Sequence, residues 1–323
     1  MPAKRSWYWP AAPKSQAPLY FRQRAVNWFA QLNGARTLGE RLKYLARFRP
    51  AFFKPVIGLL RGLTDPVVDL NMGQTAELLG YLFDISRDEA DRYAAESHHR
   101  LARAQEEERL SSEVVPAFST DGKCFSRDDG VRPDTTPARL SMLKPVFEKP
   151  WGKVTAGNSS QITDGASWVI LASEAAVEKH DLEPLAKIVD CQWSALDPAI
   201  MGLGPVLSAT ELLKRNGGPD LNGIDLWEIN EAFAAQVLAC LKAWESDEYC
   251  RSVLGLDGAL GSLPRERLNV DGGAISLGHP VGTSGNRIVL HLANSLKQQG
   301  FKRGIASQCV GGGQGGAMLI ETV

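Results

Sequence analysis

The sequence lacks the features that mark a disulfide-stabilised, zinc-binding or membrane-spanning protein. Its five cysteines are odd in number and widely spaced, and none belongs to a Cys-x-x-Cys pair, so we expect neither disulfides nor a structural metal site. It has no apolar run of about eighteen residues and no apolar signal-peptide core. The hydrophobic fraction of 44% and the charged fraction of 23% are ordinary for a globular protein. We predict a protein of the cytoplasm or, in a eukaryote, of the mitochondrial matrix.

Acidic residues are scarce at the start of the chain. Residues 1–62 carry twelve Lys and Arg but one acid, Glu40, whereas the remainder carries 24 Lys and Arg against 36 Asp and Glu. Aromatic and aliphatic residues alternate with cations in this basic segment, a pattern found at membrane surfaces and equally on a solvated face above a small core. We predict peripheral membrane or partner contact through residues 20–62. No nucleic-acid-binding motif accompanies the charge, so no nucleic-acid partner is predicted.

Hydrophobic periodicity predicts helices first and an alternation of strands and helices later. Residues 86–89 read Ser-Arg-Asp-Glu, a capping box that predicts a helix to about residue 109, with His98 and His99 as solvated helix residues. Other helices are predicted at 20–32, 39–47, 73–82, 205–215, 231–244, 246–254 and 282–299. Strands are predicted at 154–157, 167–172, 185–193, 224–229, 304–309 and 317–322. This alternation indicates an α/β layered fold with a mixed sheet.

Three polar residues beside regular elements are candidates for chemistry. Cys309 ends a predicted strand and enters a glycine run, whose backbone N–H groups could hold an oxyanion; a buried structural cysteine is the alternative. His279 precedes a predicted helix, whose N-terminus disfavours imidazolium and keeps the ring neutral. Asn230 lies at a strand-to-helix junction, either as an N-cap or as one of the polar groups that gather there. Cysteine and histidine together are the usual pair for thiol chemistry.

The motifs around these residues resemble those of the thiolase family. Its C-terminal landmarks Asn-Glu-Ala-Phe, Gly-His-Pro and Cys-x-Gly match residues 230–233, 278–280 and 309–311. Earlier matches lie at residues 72–77, 132–136, 154–158, 163–165 and 201–205. The resemblance covers residues 33–323 and is closest to the trifunctional-type β-oxidation thiolases, whose extended loop resembles residues 33–60. In those relatives that loop meets the membrane and the partner subunit.

This resemblance implies a layered αβα fold and an acetyl-CoA C-acyltransferase of fatty acid β-oxidation. Thiolases cleave 3-oxoacyl-CoA with CoA, or run the reverse condensation, so CoA is a substrate and no permanent cofactor or metal is expected. By motif match, His279 is the activating base, Cys309 the second acid/base, and Asn230 and Gly311 serve the oxyanion holes. The residues implied to line the substrate channel are Ser160, Met201, Phe233 and Met72. A homo-oligomer, or a complex with another β-oxidation subunit, is implied.

The resemblance also implies a departure from the family. The family's nucleophilic cysteine lies in the first half-domain, in a Cys-Gly-Ser-Gly-like turn that this chain does not contain; the cysteines that do not fit this role are Cys124, Cys191, Cys240 and Cys250. We therefore expect a basic arm with a helical loop domain (1–150), a remnant of the N-terminal thiolase domain (151–183) and a complete C-terminal thiolase domain (184–323).

Three hypotheses follow from this departure. In the first, the N-terminal half is supplied elsewhere, either by a separate chain or by a coding sequence upstream of a mis-assigned gene start. In the second, the chain is a catalytically inactive acyl-CoA-binding or scaffold subunit of a β-oxidation complex. In the third, Cys309 and His279 form an independent nucleophilic pair.

Overall fold

The computed structural model describes residues 19–20, 23–53 and 56–323, and the chain divides into two compact units. Residues 1–65 form the N-terminal unit and residues 66–323 the C-terminal unit. Residues 1–18, 21–22 and 54–55 of the predicted basic arm lie outside the described residues. The predicted division at residues 150 and 183 stays a prediction.

The N-terminal unit is a small helical assembly closed by two short strands. Strand β1 pairs antiparallel with β2. Its elements are β1 (Leu19–Tyr20), α1 (Gln23–Gly34), α2 (Leu38–Ala46), a 3₁₀ turn (Pro50–Phe53), β2 (Val56–Ile57) and α3 (Gly58–Gly62). Trp28 is the centre of this unit: its Nε1 donates to the Tyr44 carbonyl at 2.7 Å, and the Phe48 ring lies 5.3 Å away. The two helices predicted here are therefore present.

The C-terminal unit contains the remaining elements. Its helices are α4 (Met72–Leu82), α5 (Arg87–Glu106), α6 (Pro137–Ser141), α7 (Glu174–His180), α8 (Gly204–Arg215), α9 (Ala234–Glu245), α10 (Asp247–Ser252), α11 (Ala274–Leu277) and α12 (Val281–Gln299). Its strands are β3 (Ala117–Phe118), β4 (Cys124–Phe125), β5 (Lys187–Ala195), β6 (Leu226–Ile229), β7 (Arg303–Val310) and β8 (Gln314–Glu321). Ser86 caps α5 in the predicted capping box. In the part of the chain that the structure describes, no helix is long and apolar enough to cross a membrane.

The central sheet is mixed, as predicted, in the order β5-β8-β7-β6. Strands β6 and β7 run parallel, while β8 is antiparallel to both β7 and β5. Alternate residues of the strands face different helices. Ile305 and Leu319 belong to the main core with residues of α8 and α9, whereas Ala306 and Ile320 pack with Leu292 and other residues of α12. Helices therefore cover both faces, which is the predicted α/β layered arrangement.

Two predicted strands are not strands. Residues 154–157 form a turn, because the Asn158 side chain accepts from Thr155 N at 2.8 Å and donates to the Lys153 carbonyl at 3.0 Å. Residues 167–172 belong to none of the sheets among the described residues, and Trp168 and Ile170 are 74% and 92% exposed. An apolar run becomes a strand only where a neighbouring strand supplies ladder hydrogen bonds, and here none does.

Of the two histidines predicted to be solvated on α5, His99 is exposed as predicted, whereas the prediction was wrong for His98. His98 is 4% exposed and its Nδ1 accepts from Arg132 N at 3.1 Å. His99 Nε2 lies 2.8 Å from the Thr135 carbonyl. The loop carrying the Arg-Pro-Asp-Thr-Thr motif of residues 132–136 therefore covers this side of α5, which a helical pattern by itself does not reveal.

Candidate active site

The sheet topology brings Asn230 and Cys309 to one edge. Strands β6 and β7 are adjacent and parallel, with Ile229 opposite Ser307, so their carboxyl ends meet at the same edge. Asn230 extends the ladder by donating its N–H to the Ser307 carbonyl at 2.9 Å. Helix α9 begins only at Ala234, with Phe233 as its N-cap, so the N-cap alternative for Asn230 is wrong. Asn230 is only 1% exposed, and its side-chain Nδ2 faces His279 instead of capping the helix.

His279 reaches this edge from the loop before α12. Its Nε2 lies 3.4 Å from Asn230 Nδ2, and its Nδ1 lies 2.6 Å from Ser284 Oγ in the first turn of the helix. Its backbone N–H donates to the Gln161 carbonyl at 2.9 Å. The preceding Gly278 has φ +112° and a Cβ there would collide with Thr163, so only glycine fits. The Gly-His-Pro motif is therefore a fixed loop that aims the imidazole at Asn230.

The two titratable groups of the site are both uncharged near neutral pH. Burial, and then the Arg287 charge, lower the pKa of His279 to about 4, so its imidazole is free to accept a proton. Burial raises the pKa of the Cys309 thiol to about 12. At neutral pH Cys309 therefore keeps its proton and is able to donate it.

The remaining predicted site residues surround Cys309. The thiol shares an apolar cluster with Met201 and Ala232, against which Met72 and Phe233 pack. Gly311 is close to Met72, since a Cβ on it would lie 3.8 Å from the methionine sulfur. Ser160 N donates to the Ala232 carbonyl at 2.9 Å, which places Ser160 beside the same loop. All eight predicted site residues thus lie in one neighbourhood.

Part of the glycine run after Cys309 is required by backbone conformation and close backbone packing, not by the approach of a ligand to the backbone. Gly312 and Gly313 have φ values of +85° and +75° in the turn between β7 and β8, a region that favours glycine. A Cβ on Gly313 would collide with the Leu196 carbonyl, and one on Gly315 would collide with the Gly204 backbone. Gly311 has neither constraint, so a glycine there is not explained by the turn.

The sequence analysis missed Glu231, whose buried side chain next to Asn230 accepts three hydrogen bonds from residues distant in the sequence. This buried carboxylate accepts from Tyr93 OH at 2.9 Å, Ser97 Oγ at 2.7 Å and Asn269 Nδ2 at 3.0 Å. A Cβ on Gly273 would lie 2.6 Å from its carboxyl carbon, so the approaching loop needs glycine. The signal was an acid directly after Asn230, inside a stretch that is otherwise apolar.

A second missed feature is a buried ionic cluster centred on His291 of α12. His291 Nδ1 lies 2.8 Å from Glu113 Oε1, and its Nε2 lies 3.5 Å from Asp271 Oδ2 and 3.9 Å from Glu228 Oε1. Arg109 pairs with the other Asp271 oxygen at 2.6 Å. Burial lowers the pKa of His291, but the hydrogen bond and charge of Glu113, followed by the other carboxylates, outweigh it and raise the pKa to about 9.

Comparison with known families agrees with this fold. The model described as thiolase, C-terminal domain, matches residues 182–322, and the model described as thiolase, N-terminal domain, matches residues 50–175. Together they span most of the sequence, and the chain belongs to the thiolase family.

Two relatives show how much of a thiolase is present. The mitochondrial trifunctional enzyme subunit beta of Bos taurus is 38% identical over 309 residues, covering 95% of this chain and 64% of the relative. The mitochondrial 3-ketoacyl-CoA thiolase of Rattus norvegicus is 44% identical over 266 residues, covering 81% and 62%. The chain therefore spans less than two thirds of the length of these relatives.

Solved structures give the same result. Human mitochondrial 3-ketoacyl-CoA thiolase in complex with CoA superposes with a TM-score of 0.73 at 43% identity, covering 83% of this chain and 62% of that one. The Bacillus anthracis acetyl-CoA acetyltransferase superposes with a TM-score of 0.74 at 38% identity, covering 84% and 64%. The predicted thiolase-like fold is confirmed.

Proposed function

We propose that this chain supplies the base, the second acid/base and oxyanion-holding groups for thiolase-type acyl transfer between 3-oxoacyl-CoA and CoA. The observation that carries the proposal is the convergence of Asn230, His279 and Cys309 at one sheet edge, with imidazole and thiol both uncharged. A neutral proton acceptor beside a neutral proton donor is suited to moving a proton to and from a carbanion.

In the proposed cleavage, His279 Nε2 takes the proton of a nucleophilic cysteine that lies outside residues 1–323. The cysteine sulfur bonds to C3 of 3-oxoacyl-CoA and the C2–C3 bond breaks. The electron pair left on C2 takes the proton of Cys309, which releases acetyl-CoA. The thiol of a second CoA gives its proton to the Cys309 thiolate and attacks the acyl-cysteine. The acyl group moves to CoA, and the cysteine leaves as a thiolate that takes back its proton from His279. Asn230, through a water held with His279, and the Gly311 N–H stabilise the developing oxyanions.

The apolar wall beside Cys309 supports a CoA thioester as the substrate. Met72, Met201 and Phe233 would present sulfur and aromatic surface to an acyl or pantetheine chain, and Ser160 is hydrogen-bonded through its backbone to Ala232 of the same cluster. The human neighbour was solved in complex with CoA. We extend that ligand to this chain as a substrate, without a permanently bound cofactor.

A catalytically inactive acyl-CoA-binding or scaffold subunit is the second candidate. It is favoured by the 95% coverage against a subunit of a multienzyme protein and by the placement of the other cysteines. Cys124 and Cys191 are exposed on strands β4 and β5, whereas the buried Cys240 and Cys250 thiols donate to backbone carbonyls. An independent Cys309–His279 nucleophile is disfavoured, because the raised pKa of Cys309 leaves little thiolate.

Binding and turnover separate these candidates. The purified chain is titrated calorimetrically with a 3-oxoacyl-CoA and then assayed chromatographically for acetyl-CoA release. We expect binding without release, and release once a polypeptide carrying a Cys-Gly-Ser-Gly segment is added. Cys309→Ala should lower the restored rate by about 10²- to 10⁴-fold, the usual contribution of general acid–base catalysis.

Cys191→Ala is the matched control, since this thiol is exposed on β5, and its restored rate should equal that of the unsubstituted chain. Absence of CoA thioester binding would refute both candidates. Binding without restored turnover would leave the scaffold, whereas turnover by the chain alone, with acylation of Cys309, would establish the independent pair.

We also propose that the N-terminal unit makes reversible contact with an anionic membrane. Three leucines spaced as one face of α2 are 75%, 59% and 50% exposed, and α2 buries none of its residues. These are Leu38, Leu42 and Leu45. Exposed cations lie on and beside the same helix, namely Arg41, Lys43, Arg47 and Arg49. Apolar insertion combined with cations is the composition of an interfacial helix, each cation contributing about 1 kcal/mol at an anionic leaflet.

Vesicle co-sedimentation tests this contact. The chain should sediment with phosphatidylserine-containing vesicles, less so in high salt, and the combined Leu38→Ser, Leu42→Ser and Leu45→Ser variant should lose most of this binding. The control, Leu82→Ser with Val115→Ser, removes exposed apolar residues of the C-terminal unit and should bind as the unsubstituted chain does. Sedimentation unaffected by the leucine changes, or by deletion of residues 20–62, would refute membrane contact.

The similarity to mitochondrial proteins, one of them a subunit, supports two further proposals. The first is residence in the mitochondrial matrix, with peripheral membrane attachment. The second is assembly, either with a second copy of this chain or with another β-oxidation subunit. Fractionation and the molecular mass in solution test them directly.

A further inference from the structure

Ser284 is hydrogen-bonded to Nδ1 of His279, the ring nitrogen that faces away from Asn230. It lies in the first turn of α12, five residues after the histidine, and its side chain is 1% exposed. Its Oγ is 2.6 Å from His279 Nδ1, which is shorter than the 3.4 Å between His279 Nε2 and Asn230 Nδ2. The imidazole is therefore held between a hydroxyl on one nitrogen and an amide on the other.

The directions of these hydrogen bonds assign the ring proton. An asparagine Nδ2 has only hydrogens to offer, so His279 Nε2, which it faces, must accept. A neutral imidazole whose Nε2 accepts carries its proton on Nδ1, and Nδ1–H then donates to Ser284 Oγ. The Ser284 hydroxyl, which accepts from Nδ1–H, donates its own hydrogen to the Pro280 carbonyl at 3.5 Å. The reverse arrangement needs the Asn230 amide turned over, with Oδ1 accepting from Nε2–H.

The backbone around His279 is already fixed without Ser284. Its N–H is bonded to the Gln161 carbonyl, and the strained Gly278 packs on Thr163. These contacts place the Cα and Cβ of His279 but not the rotation of its ring or the position of its proton. Ser284 makes the short contact that determines both.

We propose that Ser284 is a positioning residue that holds His279 in the Nδ1–H tautomer, so that the Nε2 lone pair faces Asn230 and the open side of the site. The value of this tautomer to catalysis rests on the function proposed above, because a base must present an unprotonated nitrogen to the thiol it activates. The tautomer itself is a property of the free chain and is measured without substrate.

Long-range ¹H–¹⁵N correlation spectra of the chain labelled in its five histidines provide the test. At pH 7.5 the His279 signal, assigned by its absence in His279→Asn, should show a protonated Nδ1 and an unprotonated Nε2. In Ser284→Ala the ratio of Nδ1–H to Nε2–H should fall by about fivefold, as expected for loss of one hydrogen bond. Ser284→Thr, which keeps the hydroxyl, should restore the ratio.

An Nε2–H pattern in the unsubstituted chain would overturn the proposal without any variant, so poor folding of Ser284→Ala cannot mask the result. An unchanged ratio in a folded Ser284→Ala chain would overturn it as well. The outcome is separate from that of the acyl-transfer experiments, since the chain can fail to bind CoA thioesters and still show the assigned tautomer.

Discussion

The two histidines associated with α12 lie in opposite electrostatic surroundings. His279, before the helix, meets a hydroxyl and an amide, and burial together with Arg287 lowers its pKa to about 4. His291, three turns further along, meets the carboxylates of Glu113, Asp271 and Glu228, which outweigh burial and raise its pKa to about 9. One ring is kept neutral, as the proposed proton transfer requires, whereas the other is a cation in a buried ion cluster. Residue type alone therefore does not distinguish a reactive histidine from a structural one; its partners do.

Removing the His291 cation from its ionic cluster should lower the free energy of unfolding more than any other substitution proposed below. His291→Ala leaves Glu113 and Glu228 buried beside Asp271 with one positive partner fewer, so we expect the free energy of unfolding to fall by about 3–5 kcal/mol. Denaturant unfolding measures it. His180→Ala, on an exposed part of α7, should change it by less than about 0.5 kcal/mol. Equal effects of the two variants would mean that the cluster is not stabilising.

The free energy of unfolding should fall as pH rises, because folding raises the pKa of His291. Its folded pKa of about 9 exceeds the ordinary histidine value of 6.5, so its contribution is complete below pH 6.5 and is lost as pH rises through 9. We expect a loss on the order of 3 kcal/mol between pH 6 and 10. The groups facing it are the carboxylates of Glu113, Glu228 and Asp271, with the cations Arg109 and Arg287 beside them.

His291→Gln separates the contribution of this cluster from that of the other titrating groups. Burial raises the pKa of Glu228 to about 7, so stability from this carboxyl is also lost as pH rises. Because the His291 charge lowers the pKa of both Glu113 and Glu228, the difference between the two unfolding curves should report His291 together with these two carboxyls. A difference that stays constant from pH 6 to 10 would contradict the assigned charge.

The next largest effect on the free energy of unfolding is expected at Glu231, the buried carboxylate that follows Asn230 in the sequence. Glu231→Gln puts an amide before the Tyr93, Ser97 and Asn269 donors, and loss of these charge-assisted bonds should cost about 2 kcal/mol of unfolding free energy. The His279 resonances should shift as its supporting loop moves. Glu183→Gln, whose exposed carboxylate pairs with Lys297, is the matched control and should cost less than about 1 kcal/mol.

The smallest effect on stability is expected at His279 itself. His279→Asn should change the unfolding free energy by less than about 1 kcal/mol at pH 7, because no buried charge is left unpaired. Its folded pKa of about 4 is below the ordinary histidine value of 6.5, so the unsubstituted chain loses stability as pH falls from 6.5 towards 4. The variant should therefore gain relative stability at pH 5. A large loss at pH 7 would show that His279 is structural.

Local patterns were sufficient to predict most elements and to name the candidate site residues. The capping box at Ser86, the period of α12 and the alternation of β6, α9 and β7 predicted elements close to those in the structure. The motifs identified the residues that the sheet then gathers, because the carboxyl ends of neighbouring parallel strands share an edge. Where a prediction depended on a distant partner, as with the missing strand at 167–172 and the buried His98, it was wrong.

The sequence by itself determined the α/β class, the thiolase motifs and the basic N-terminal segment, because periodicity, short motifs and charge are local properties. Only the tertiary structure decided the charge of His291, the cause of the neutral state predicted for His279, the role of Glu231 and the hydroxyl on His279 Nδ1. Each depends on burial and on groups far apart in sequence, such as Glu113 with His291 and Tyr93 with Glu231. A pKa or a hydrogen-bond direction is determined by the groups that surround a side chain, and only folding brings those groups together.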